Sequence, residues 1–157
     1  MTTPGVTETA IDTLWVAAKD KLIAALLVDQ NDPVTTFFEF ELPSNTRTNR
    51  AITVPLGFPR LLNDDTAVKR VMGQVQVEFA CMVRAGELLK GHQDARSLAY
   101  WLGDLFLADP HLPGNVARDV HWQDLVYQAT PPVDLDGDIP TAWASITMLW
   151  EVDYARP

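Results

Sequence analysis

The stretch Val71-Met72-Gly73-Gln74-Val75-Gln76-Val77-Glu78-Phe79-Ala80-Cys81-Met82-Val83-Arg84 decides the fold. Val71, Gly73, Val75, Val77, Phe79, Cys81 and Val83 share one parity; the polar Gln74, Gln76, Glu78 and Arg84 share the other with Met72, Ala80 and Met82. Successive side chains of a strand point to opposite faces of its sheet, so this alternation predicts a strand with one face on a core. At ~3.3 Å per residue it spans roughly 40 Å, longer than the usual strand, so it is expected to project past its own domain.

Upstream, Ile11, Leu14, Trp15, Ala18, Leu22, Ala25 and Leu26 recur at helical spacing and predict a helix from about Glu8 to Val28, with Thr7 as its N-cap. Asn31-Asp32-Pro33 ends it, because the residue before a proline leaves the α region. Thr35–Leu42 and Ala51–Leu56 read as strands, separated by the polar loop 43–50. Gly57-Phe58-Pro59 opens a second loop, 57–66. Downstream, Ala95, Leu98, Ala99, Leu102, Leu105 and Phe106 predict a helix from Gln93 to Ala108. A strand from Val116 to Trp122, extending toward Tyr127, follows. After a turn marked by Pro131-Pro132 and Asp136-Gly137, a last strand puts Ala144, Ile146, Met148, Trp150, Val152 and Tyr154 on one face. The economical architecture is a single α+β domain over residues 1–157, in which two helices cover one face of an antiparallel or mixed β-sheet; residues 1–6 form a flexible lead.

A chain of 157 residues with 47% hydrophobic and 21% charged residues is long enough and apolar enough for one real core. Its net charge of −9 disfavours a sequence-reading nucleic-acid binder. Met1–Thr9 has neither the basic nor the apolar region of a signal peptide, and no apolar run reaches the ~20 residues that span a bilayer. The charge is uneven. Seven basic residues face four acids between Pro43 and Lys90, whereas nine acids face Arg118 and Arg156 from Asp104 onward. Such asymmetry suits head-to-tail attraction between copies, with Arg47, Arg50 and Arg60 as donors and Asp119, Asp124, Asp134, Asp136 and Asp138 as acceptors.

Residues that could carry chemistry are few and scattered. Asp134, Asp136 and Asp138 suggest a calcium loop, but the positions needing Gly and Glu hold Ile139 and Ser145. His92, His111 and His121 lack ligand spacing, and the single Cys81 reads as a buried thiol. No phosphate-binding loop, dinucleotide fingerprint or nucleophile elbow is present. The expectation is a protein without catalytic residues, metal or cofactor. A helix covering one sheet face needs one apolar stripe, yet Val16, Ile23 and Leu27 lie opposite the first helix's stripe, and Tyr100 and Leu107 opposite the second's. These residues are candidates for a subunit interface.

The segment from Leu105 to Val116, containing Asp109-Pro110-His111-Leu112-Pro113-Gly114-Asn115-Val116, together with the element order, resembles the tail terminator (tail completion) proteins of long-tailed bacteriophages. The resemblance implies a non-enzymatic virion protein, assembled in the host cytoplasm. It would form a ring, typically a hexamer, that caps the tail tube, stops its polymerisation and meets the head connector. DNA would cross its lumen without specific contact. The other readings are a different neck or head-completion adaptor, a small enzyme with a dispersed site, and a monomeric module for a small ligand.

Overall fold

The computed structural model describes residues 6–28, 35–39, 48–55, 57–67, 70–127 and 141–155. Helix α1 spans Val6–Val28 and α2 spans Leu88–Leu107; the strands are β1 Thr36–Phe38, β2 Arg50–Thr53, β3 Arg60–Ala67, β4 Arg70–Arg84, β5 Asp119–Tyr127 and β6 Thr141–Ala155. All six strands join one mixed sheet of order β1-β2-β4-β6-β5. Among the described residues only the β1–β2 pairing is parallel.

The central pairing is β4 with β6, in unbroken antiparallel register from Arg70↔Ala155 to Arg84↔Thr141. It places Gly73, Val75, Val77, Phe79, Cys81 and Val83 beside Val152, Trp150, Met148, Ile146, Ala144 and Ala142. That apolar face packs under both helices: Leu14, Trp15, Ala18, Leu22 and Leu26 of α1, and Ala95, Leu98, Ala99, Leu102 and Phe106 of α2, share one buried cluster with it. The α+β architecture with two helices on one sheet face is the one the alternation predicts.

Because β6 occupies one whole edge of β4, β2 and β3 lie end to end along the other, opposite Ala80–Val83 and Arg70–Gln76. The segment 57–66, expected as a loop, is therefore mostly strand β3. Its Asn63-Asp64-Asp65 run coincides with a register shift between Leu62 and Asp65, which is how turn-forming residues are accommodated inside a strand. Between β2 and β3 the chain jogs at Gly57, which adopts the left-handed φ of 92° that an L side chain resists.

Other boundaries also move. α1 begins at Val6, so Thr7 lies inside the helix rather than capping it. α2 begins at Leu88, before the expected Gln93. Gly91 is a buried helical position whose missing side chain lets α2 approach Ala142; an added Cβ would sit 3.3 Å from that residue's Cβ. The strand expected from Val116 begins at Asp119, and the first expected strand is described over Thr36–Phe38. Pro43–Arg47 and 128–140, including Arg47, Asp134, Asp136 and Asp138, lie outside the described residues.

The outer sheet face divides in two. Ala51, Ala80, Met82 and Trp143 form a separate buried cluster near Phe38. Toward the other end Arg60 donates to Gln76 at 2.6 Å, and the Gln76 amide donates to Gln123 across β6.

Gly103 sets how closely α2 approaches β5. A Cβ there would lie 2.5 Å from the Trp122 indole nitrogen and 2.8 Å from Ile146 Cδ1. Trp122 is held from its other side by Tyr100, with ring centroids 5.2 Å apart. In an open helix interior Gly→Ala would stabilise by about 1 kcal/mol. Here overpacking is expected to win, so that Gly103→Ala destabilises by about 1–3 kcal/mol. Thermal unfolding followed by circular dichroism should show a lower Tm; a raised Tm would refute the close approach.

Candidate subunit interface

Among the described residues the large exposed apolar side chains lie on the two helices, most of them in one row on each. Residues three and four apart share a helix face, so Asp12, Val16, Asp20, Ile23 and Leu27 line the outer side of α1. All five are exposed, with Leu27 at 72%. On α2 the row is Leu89, Gln93, Arg96, Tyr100, Asp104 and Leu107, again all exposed, with Leu89 at 64%. The expected candidates Val16, Ile23, Leu27, Tyr100 and Leu107 are thus solvent-facing. Leu88 and Leu89 are two further exposed leucines at the start of α2, which begins earlier than its clearest apolar spacing implies. Counting Gly91 as apolar would have found them, since Gly91, Ala95 and Leu98 continue the stripe backward.

The two rows look away from each other. Ile23 and Leu27 border an open groove of about 270 Å³ with Thr35, Thr36 and Phe37, on the β1 side of the molecule. Tyr100 stacks on Trp122 of β5. β1 and β5 are the two ends of the sheet order, so the rows mark opposite flanks of the helical layer. Between the helices lies a second open groove, of about 490 Å³, lined by Asp20, Lys21, Ala24, Ala25, Val28, Leu105 and Pro113, so Asp20 borders the side of α1 toward α2.

The outer row of α1 carries only acidic charges. The only basic residues of α1, Lys19 and Lys21, are turned inward to partners: Lys19 meets Glu39 at 2.9 Å and Lys21 meets Asp109 at 3.5 Å. The hydrogen bond from Lys19 holds the Glu39 carboxyl below its ordinary range, against the opposing effect of burial and with help from the Lys19 charge and the Trp15 indole N–H. With its lysines so engaged, α1 presents Glu8, Asp12 and Asp20 to solvent. The first half of α2 carries Lys90 and Arg96 against Asp94, with exposed Glu87 just before the helix, so its charges balance; Asp104 lies near its end. The N-cap residue Glu87 makes no side-chain hydrogen bond to the first turn, but its carboxylate sits at the positive end of the helix dipole.

Of the basic residues expected in loops, the two described, Arg50 and Arg60, sit in strands. Arg50, half-buried in β2, donates to Thr35 at 3.2 Å. Arg60 begins β3, where it holds Gln76 and lies over the Phe58 ring at 5.0 Å. Asp119 and Asp124 are exposed on β5.

The Asp109–Val116 segment is a knitted corner between α2 and β5. The amides of Asp109, Leu112 and Asn115 donate to the carbonyls of Phe106, Asp109 and Leu112, and His111 and Ala117 are joined through Ala117 N–H to His111 O at 3.1 Å. Leu112, Gly114 and Asn115 take left-handed φ values of 60°, 83° and 54°. The unusual conformation at Leu112 is held by burial of its side chain in the core.

Residues with reactive chemistry are dispersed. Cys81 is fully buried, and loss of solvation pushes its thiol up to about 12, with Arg50's charge pulling slightly the other way. His92 lies in α2, His111 in the corner and His121 in β5, where its Nε2 is 3.8 Å from Glu151. Among the described residues no three His, Cys, Asp or Glu side chains are grouped to hold a metal ion, and no helix is long and apolar enough to cross a membrane. No protein-family model and no curated protein matches the chain.

Two outcomes follow from the burial. Ile23→Ala should leave stability within about 0.5 kcal/mol of the parent, as surface substitutions do, while the adjacent Leu22→Ala, in the core, should cost roughly 2–5 kcal/mol in urea unfolding. Equal losses would place Ile23 in the core. The Cys81 thiol should resist a disulfide reagent at pH 8 in the folded protein and react on unfolding. Because the folded thiol holds its proton above the ordinary value of 9.0, its contribution to stability is complete below that pH and is lost as pH rises toward about 12.

Proposed function

We propose that this chain is a ring-forming tail terminator subunit of a long-tailed bacteriophage, closing the finished tail tube and joining it to the head connector. The observation that carries the reading is the pair of exposed apolar rows on opposite flanks of one helical layer. Two different surfaces that recognise each other make a heterologous contact, and such contacts close into rings when the rotation permits. A monomer has no use for either row, since exposed Leu and Ile in patches favour association.

The likeness of the Leu105–Val116 segment to that family supports the specific assignment, and the corner it forms fixes how β5 leaves α2. The partners in this reading are further copies of the chain, six to a ring, the tail tube protein and the connector. The acidic balance suits a lumen through which DNA slides without adhering. The protein would assemble in the bacterial cytoplasm and end in the neck of the virion.

Electron microscopy of the purified protein at high concentration should show closed rings with a central channel, six-fold in projection. Added to polymerising tubes, the protein should cap their ends and shorten the length distribution. A particle in which one copy sits among unlike neighbours would overturn the ring; rings that leave tube length unchanged would overturn the terminator assignment.

A further inference from the structure

We propose that the corner between α2 and β5, together with the end of β6, forms a binding site for a small free α-amino acid. A cleft of about 300 Å³ lies there, lined by His111, Asn115, Val116, Ala117, Arg118 and Asp153. The site uses neither helix row and does not depend on the ring. Its basis is the juxtaposition of one cation, one anion, an amide and an imidazole of fixed tautomer on a rigid wall. Rigidity comes from a double clamp between residues 111 and 117. The Ala117 N–H donates to the His111 carbonyl at 3.1 Å, and His111 Nδ1 lies 3.1 Å from the Ala117 carbonyl. One residue on, the Arg118 N–H donates to the Glu151 carbonyl at 2.8 Å and ties the corner to β6, two residues before Asp153. Leu112, inside the clamp, is anchored in the core. The wall is therefore set before a ligand arrives, which lowers the ordering cost of binding.

The chemistry of the lining selects the ligand class. A carbonyl oxygen can only accept, so His111 Nδ1 carries the proton and Nε2 of the neutral ring is an acceptor. Among the described residues the Arg118 guanidinium and the Asn115 amide make no hydrogen bond or ion pair, so both are available to a ligand. Asp153 already has a partner, and its two carboxylate oxygens leave room for another donor. A simple anion would gain Arg118 but meet Asp153; a simple cation would gain Asp153 but meet Arg118. A ligand carrying both charges on one carbon satisfies the two together. Its carboxylate takes the paired N–H groups of Arg118 with the Asn115 amide beside it, and its ammonium donates to His111 Nε2 and Asp153. Val116 and Ala117 leave only apolar contact for a short side chain.

Titration with L-alanine, followed in proton–nitrogen correlation spectra of the whole chain at neutral pH, tests this. The Asn115 side-chain amide and the Arg118 Nε signals should shift saturably. Acetate and methylammonium, each alone, should bind at least tenfold more weakly. Tri-alanine, whose charged ends are too far apart to meet both halves of the cleft, should bind no better than acetate. Arg118→Gln should weaken alanine binding at least tenfold with circular dichroism unchanged, whereas Arg96→Gln, on α2, should leave it as it is. Asp153→Asn should do what Arg118→Gln does; if that variant unfolds, the comparison with acetate still reads the anionic half of the site. Shifts that do not saturate, acetate binding as tightly as alanine, or alanine binding that survives Arg118→Gln would each overturn the proposal. Tighter binding of tri-alanine would overturn the free amino acid in favour of a chain end. Rings seen without alanine binding would leave the ring reading standing, so the two readings fail separately.

Discussion

The ladder between β4 and β6 is the interaction on which the other elements depend. It runs without a break from Arg70↔Ala155 to Arg84↔Thr141, so it fixes which side chains share a face over the whole length of the sheet. A slip of one residue would turn Val75, Val77, Phe79 and Cys81 away from the helices and bring Gln74, Gln76 and Glu78 beneath them. Such a slip would put polar groups where Leu14, Leu22, Leu102 and Phe106 now pack, which is a cost no surface contact could offset. β2 and β3 attach to one edge of this ribbon and β5 to the other. The helices then have one apolar surface to cover.

Covering that surface uses only part of what the helices offer. α2 is seated closely because Gly91 and Gly103 remove side chains where Ala142 and Trp122 come near. α1 is attached through Leu14, Trp15, Ala18, Leu22 and Leu26, and carries apolar residues on its other sides as well. A helix apolar all round normally lies inside something larger. In this protein the unburied remainder lies in one row on each helix.

The inward lysines show how a fold can set the charge of a surface that its composition leaves undecided. α1 contains both acids and lysines, and by count alone its outer side would look mixed. Glu39 and Asp109, from outside the helix, draw Lys19 and Lys21 to their sides of α1. At separations of 2.9 and 3.5 Å these part-exposed pairs contribute little to stability, yet they leave the outer row without a countercharge.

Much of this was legible in the sequence. The period-two pattern around Phe79 and Cys81 and the helical spacing of Leu14, Ala18 and Leu22 determined the sheet face, the two helices and their shared side. They also implied that Val16, Ile23, Leu27, Tyr100 and Leu107 would be left outside, because periodicity is a local property set by backbone geometry. What depended on distant partners was hidden. Asn63-Asp64-Asp65 reads as a loop but lies in β3 because β4 offers it a ladder; α2 reads as starting at Gln93 but starts at Leu88, with Gly91 buried against Ala142. Arg50 and Arg60 read as loop charges but are held in strands. The placement of the two rows on opposite flanks, and the inward turn of Lys19 and Lys21, were decided only by the tertiary structure, since each depends on residues that are neighbours in space and remote in sequence.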